Sequence, residues 1–196
     1  MIIVDEKKLE AIEPLVNTIK TKLYNEDEKP FPKFALSGEF TALLWNETEE
    51  YEQSANSWID KNKFLALRKA KETVSHSNSF YIAWAFRELD DNGQPKARTI
   101  IELPFDWGRV ENYESELDYH FSQFYVFDDS LTWFLHIDES VVLAGTQKFI
   151  DNFIESLGGI EKAKTMFDTY LNETSSDDVI DWVGQIKSHF LSNTRC

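Results

Sequence analysis

The sequence predicts an α+β fold: an antiparallel β-meander of about five strands, packed by N-terminal and C-terminal helices. Two patterns predict it. Apolar residues recur at three- and four-residue steps near both ends of the chain, and they alternate with period two in the middle. The predicted strands are also joined by short connections, which suit antiparallel neighbours rather than crossovers. Helices, then strands, then helices is the α+β order. The length of 196 residues, with 42% hydrophobic, is enough for one core. Only 7 Gly and 5 Pro occur and no Ser/Gly-rich linker separates two halves, so one domain over 1–196 is expected, helical over 1–75, sheet over 78–145 and helical over 146–192.

Leu9, Ile12, Val16, Ile19 and Leu23 define one face of a first helix. Pro14 either kinks this helix or sits in its first turn. Pro30 and Pro32 mark a loop over 25–33, and Phe40–Trp45 is a possible strand. Asn46 with Glu49 is a plausible cap for a helix carrying Tyr51, Ala55, Trp58 and Ile59 on one face. Lys61–Thr73 is a second, basic helical stretch. Phe80, Ile82, Trp84 and Phe86 alternate as a strand, Asp90–Gly93 supplies a turn, and Thr99–Leu103 returns as the partner. Ser122–Phe127, Leu131–Ile137 and Val141–Ala144 complete the sheet. Thr146 can cap a helix that buries Phe149, Ile150, Phe153, Ile154 and Leu157, and Gly158-Gly159 stops it. Ala163, Met166, Phe167, Tyr170 and Leu171 face inward on the next helix. Ser175 with Asp178 makes a capping box for the last one.

The charge sorts the function classes. Asp and Glu number 35 against 20 Lys and Arg, a net charge of −15, beside 6 Trp, 7 Tyr and 15 Phe. So much apolar and aromatic side chain separates this sequence from an acidic disordered tail. A compact domain with a negative surface attracts basic partners and repels nucleic acid. Cys196 is the single cysteine, so no disulfide forms within the chain. The N-terminus is charged at Asp5, Glu6, Lys7 and Lys8, and no apolar run approaches the roughly 18 residues of a membrane span. A cytoplasmic location, with no membrane and no nucleic acid among its partners, is expected.

Motifs of catalysis are missing. There is no Gly-x-Ser-x-Gly elbow and no phosphate loop, and nothing calls for a cofactor or a metal. His120 follows Asp118 by two and His136 precedes Asp138 by two. Each such pair shares a strand face, but no third group converges on it. His76 and His189 stand apart from any acid pattern. The five cations of Lys61–Lys71 sit in a chain of opposite charge and are expected to face an acidic patch of the same molecule.

Acidic clusters are the positive signal. Glu102–Tyr119 holds Glu102, Asp106, Glu111, Glu114, Glu116 and Asp118 against Arg109 alone, with Phe105, Trp107 and Tyr113 interleaved. Glu47, Glu49, Glu50 and Glu52 surround Tyr51 in a second cluster. Most acidic runs are simply solvated faces that keep a protein soluble. Aromatic anchors ringed by charge are, in addition, what protein interfaces use.

From Phe124 to Ile137 the chain runs strand, acidic turn at Asp128-Asp129-Ser130, then a strand bearing Trp133. Val142-Leu143-Ala144-Gly145 and a helix follow. This stretch resembles the C-terminal region of small acidic immunity proteins of bacterial polymorphic toxin systems, contact-dependent growth inhibition among them. The resemblance implies a cytoplasmic α+β protein without catalysis that binds and blocks a cognate toxin. It carries over no binding residue. A basic, nuclease-type toxin would suit the acidity, because opposite charge steers association.

The function expected is therefore protein binding, with a basic toxin domain as partner. The expected contacts are Asp106, Trp107, Glu111, Glu114, Glu116 and Asp118, then Asp128, Asp129 and Glu139. Carboxylates would pair with the partner's Lys and Arg, and Trp107 would be the buried anchor. A hydrolase using paired carboxylates or a His–Asp pair, or a scaffold or regulatory domain, are the alternatives.

Overall fold

The computed structural model describes residues 2–23, 40–46, 58–112, 123–138, 140–174 and 177–194. The fold is α+β, with an antiparallel sheet and helices from both termini packed against it. The strands are β1 (Ile2–Ile3), β2 (Thr41–Asn46), β3 (Ser79–Trp84), β4 (Ile100–Pro104), β5 (Phe124–Phe127), β6 (Trp133–Ile137) and β7 (Ser140–Gly145). The helices are α1 (Glu6–Leu23), α2 (Lys61–Glu72), the one-turn α3 (Trp107–Glu111), α4 (Gln147–Leu157), α5 (Ile160–Glu173) and α6 (Asp177–Asn193).

Among the described residues seven strands pair in the order β1-β4-β3-β5-β6-β7-β2, every neighbour antiparallel. This extends the expected five. The ambiguous segment at Thr41 becomes edge strand β2, and two residues at the N-terminus add β1 on the other edge. Only β5-β6-β7 is a simple meander. The β4–β5 connection passes β3, so β3 lies between β4 and β5.

Local chemistry starts and stops the helices. Asp5 accepts from the Lys8 N–H at 2.9 Å ahead of α1, and Asp60 accepts from the Lys63 N–H at 2.8 Å at the start of α2. α1 begins well before Pro14 and runs through it. Thr146 is the N-cap of α4 as expected, but its side chain makes no capping bond; its carbonyl takes the Ile150 N–H at 3.0 Å. Gly158, at φ 112°, ends α4, and the Gly159 N–H returns to the Ile154 carbonyl at 2.9 Å. The expected cap at Asn46–Glu49 and the Ser175 capping box lie outside the described residues.

Both faces of the sheet are covered. On one face Phe80 meets Phe64 of α2 at 6.5 Å, Trp133 stacks on Phe149 of α4 at 5.7 Å, and Trp45 stacks on Phe153 at 6.3 Å. On the other face lie Tyr81, Tyr125, Phe134 and His136, and α1 reaches it through Lys8, 5.5 Å above the Tyr81 ring. α5 and α6 pack beside β2 and meet each other at Phe167 and Phe190. Burial on both sides explains why β3, β5 and β6 bury consecutive residues rather than alternate ones. Among the described residues no helix is long and apolar enough to cross a membrane.

The basic helix α2 does not face an acidic patch among the described residues. Lys63 pairs with its own cap Asp60 and lies 5.7 Å from the Trp45 ring. Lys71 is buried, donates to the Ser77 carbonyl and sits 4.7 Å above the Phe105 ring. These contacts hold the cations by a carbonyl and by aromatic faces rather than by carboxylates of another element.

Among the described glycines, Gly145 has the least room for a side chain. A Cβ there would lie 2.5 Å from Cδ1 of Phe149, inside the Trp133–Phe149 stack. Gly145→Ala should destabilise by about 1–3 kcal/mol through overpacking. Gly184, in α6, has no heavy atom within 4 Å of an added Cβ. Gly184→Ala should stabilise by about 0.5–1 kcal/mol through helix propensity. Urea unfolding of the two variants checks the opposite signs.

Candidate functional site at the acidic end of the sheet

Strand register gathers several of the expected contact residues at one end of the sheet. Ser79, which opens β3, pairs with Pro104, which closes β4, and Tyr81 pairs with Phe127, which closes β5. The segments that follow β4 and β5 therefore leave the sheet together. One carries Asp106 and Trp107, the other Asp128 and Asp129. An aromatic bridge ties them, with Phe105 against Phe80 at 4.9 Å and against Trp133 at 6.1 Å.

Asp106 is exposed and caps α3, accepting from the Arg109 N–H at 3.2 Å. Trp107 is half-buried against Phe64, 5.6 Å between rings. Its inner face is therefore already packed on α2, and only its outer part is open to a partner. Glu111 is half-buried at the end of α3, and Asp129 is exposed in the β5–β6 turn. Glu114, Glu116, Asp118 and Glu139 lie outside the described residues, as does the acidic cluster at Glu47–Glu52.

Asp128 is a different case. It has 0% exposure and belongs to its own turn. One carboxylate oxygen accepts from the Ser130 N–H at 3.0 Å and from the Ser130 hydroxyl at 2.5 Å; the other accepts from Nε1 of Trp133 at 3.1 Å. This arrangement, with Leu131 at φ 47°, fixes the turn that starts β6. As a contact residue Asp128 must be withdrawn, because no surface of it reaches a partner.

Glu102, a member of the acidic cluster but not one of the expected contacts, lies opposite Tyr81 on the α1-covered face. It pairs with Lys8 and accepts from the Ser79 hydroxyl at 2.6 Å. Burial pushes its carboxyl up, but the hydrogen bonds from Lys8 and Ser79 outweigh this and hold it below the usual carboxylate range. Burial raises the Tyr81 phenol; Lys8 opposes the rise, while Glu102 and Asp129 add to it. Near Tyr81, then, one carboxylate is neutralised within the molecule and one, Asp129, remains open.

What this end can do chemically is present carboxylates to cations. Among the described residues no three His, Cys, Asp or Glu side chains group as metal ligands. His136 is 3% exposed and packs on Tyr125 at 5.3 Å. Burial lowers its pKa to about 4, against a small upward pull from Asp138. No substrate reaches an imidazole so placed without opening the core. His76 is exposed and His189 contacts Asn193 at 2.8 Å on α6. His120 lies outside the described residues.

Compared with protein-family models, with curated proteins and with solved structures, the chain finds no match.

Two stability measurements follow from these buried groups. Asp128→Ala leaves the Trp133 N–H and the Ser130 groups without their acceptor and should destabilise by about 1–3 kcal/mol. Asp129→Ala, one residue on and exposed, should leave the urea midpoint in place. The second concerns pH. The unfolded His136 takes a proton near 6.5 and the folded one near 4. Its contribution is thus complete above pH 6.5 and declines as pH falls towards 4, by at most about 1.4 kcal/mol per pH unit. His136→Leu should flatten the loss of stability between pH 7 and pH 5. An unchanged slope in urea titrations at the two values would show that another group governs it.

Proposed function

We propose that this chain is a non-catalytic binding domain, an immunity protein that docks on a basic toxin domain and neutralises it. One observation carries the reading. Asp106, Trp107, Glu111 and Asp129 come from segments leaving β4 and β5, the two neighbours of β3, at one end of the sheet, and that end offers both carboxylates and a half-open indole. A net charge of −15 gives that end a long-range field that attracts a basic partner. The likeness of Phe124–Gly145 to toxin-immunity proteins points to the same class of partner. Glu114, Glu116 and Asp118 belong to the proposed surface on sequence grounds alone; Asp138 and Ser140, which flank Glu139, lie at the opposite end of the sheet, so Glu139 is left out of it.

The division of labour is physical. Exposed carboxylates act mostly on the association rate, because screening sets in at about 10 Å in 0.1 M salt. A desolvated aromatic acts mostly on dissociation. Trp107 starts with its inner face packed on Phe64, so it is pre-organised and loses little freedom on binding.

Co-expression with the product of the neighbouring reading frame tests the reading. Protection from a toxic product supports it; a product that is harmless alone, or still lethal beside this chain, overturns it. With a complex in hand, Glu111→Lys with Asp129→Lys should slow association about tenfold or more at low salt and weaken its salt dependence. Glu173→Lys with Asp181→Lys, on the helices beside the opposite edge strand β2, changes net charge equally and should act much less. Trp107→Ala should chiefly speed dissociation. Equal effects of the two charge pairs would move the interface away from the acidic end.

A further inference from the structure

The connection from β3 to β4, residues 85–99, is an arm at the end of the sheet opposite Asp106 and Asp129. Its base is fixed. The Arg98 side chain is 2% exposed and donates to Glu13 of α1 and to the Trp84 carbonyl, and Arg87 donates to the same carboxylate. Further out, Leu89 bridges to Pro95, and the Lys96 N–H donates to the Glu88 carbonyl at 2.7 Å.

The tip of the arm is a turn over 90–94, where Asp90-Asp91-Asn92-Gly93 leads the sequence to expect one. The Asp90 N–H donates to the Gln94 carbonyl at 2.8 Å, and the Gly93 N–H donates to the Asp90 carbonyl at 2.9 Å. Oδ1 of Asp90 accepts two more N–H groups, from Asn92 at 2.9 Å and from Gln94 at 2.8 Å. Gly93 has φ 76°, which glycine adopts without strain.

Asn92 is the one Asn in the sequence that precedes a Gly. Both residues are exposed, and a Cβ added at Gly93 would meet nothing within 4 Å. The pair has a chemistry of its own. No side chain on Gly93 keeps its amide nitrogen from the side-chain carbonyl carbon of Asn92. Once deprotonated, that nitrogen can attack Cγ. The new N–C bond closes a succinimide ring, the C–N bond of the Asn92 amide breaks, and ammonia leaves with the proton. Water then opens one of the two ring carbonyls. The product is Asp at position 92, or an isoaspartyl link that lengthens the main chain by a methylene.

The turn opposes the first step. The N–H of the attacking nitrogen is tied to the Asp90 carbonyl, and the Asp90 carboxylate pins the N–H groups on either side of it, at Asn92 and Gln94. Gly93 must be released before it can lose its proton and swing towards Cγ. The rate in the folded chain is therefore the rate of the open turn multiplied by the fraction of time the turn is open.

We propose that Asn92 is a site of spontaneous chemical modification, losing its amide through a succinimide, and that Asp90 is the positioning residue that slows the loss. Conversion puts a further negative charge beside Glu88, Asp90 and Asp91. The site is independent of the acidic end and of the toxin-binding reading.

Peptide mapping by mass spectrometry of the full chain after prolonged incubation at pH 8 tests it, with isoaspartyl methyltransferase as the probe of the rearranged link. Amide loss should appear at Asn92 ahead of every other Asn, and faster in urea than in the fold. Asp90→Ala should speed the loss about fivefold in the fold and leave the rate in urea nearly unchanged. Asp90→Asn, which keeps an acceptor oxygen in the same place, should restore the slow rate. An amide that stays intact in the folded parent and in folded Asp90→Ala, while the urea-unfolded chain reacts, overturns the proposal. Equal rates in the folded parent and Asp90→Ala, or a rate in Asp90→Asn as fast as in Asp90→Ala, overturn the role given to Asp90.

Discussion

Burial of the sheet on both faces is the constraint on which the rest of the structure depends. With α2 and α4 on one face and α1 on the other, the central strands can carry almost nothing polar. Phe124–Phe127 and Trp133–Ile137 are buried at every position. Several polar groups at the margins of the sheet are answered locally, at short range. Asp128 takes the Trp133 indole, Arg98 takes Glu13 and the Trp84 carbonyl, and Lys71 takes the Ser77 carbonyl and the Phe105 ring. An unanswered charge in such a place would cost more than any of these contacts contributes.

The same constraint decides what could be read from the sequence. Helices that bury one face declare themselves, so Ile12, Val16 and Ile19, or Phe149, Ile150, Phe153 and Ile154, give both the element and its inward side. β2 is obscured because Ala42, Leu43, Leu44 and Trp45 are all buried and no alternation survives. β1 is two residues long, below any periodic signal. The place of β3 between β4 and β5 depends on which strands meet in space, and local pattern carries no trace of that.

The site was legible in a similar, partial way. Acidic residues with Trp107 among them were visible as a cluster, and Asp106 and Asp129 are indeed exposed. Asp128 could have been separated from its neighbour: Asp-x-Ser ahead of a Trp-bearing strand is an Asx-turn pattern, and charge counting alone missed it. Glu13, Arg87 and Arg98 could not have been joined from sequence. They are spread over 85 positions from Glu13 to Arg98 and belong to no motif.

α1 links these features, because it makes ion pairs with both ends of the sheet. Near its start Lys8 neutralises Glu102. Further along, Glu13 takes Arg87 and Arg98. Each end of the sheet thus holds a carboxylate whose charge is answered within the molecule. A uniformly acidic surface would speed the approach of a basic partner but would not orient it. Any orientation would then rest on the carboxylates left open at the Asp106 and Asp129 end and on the half-open Trp107.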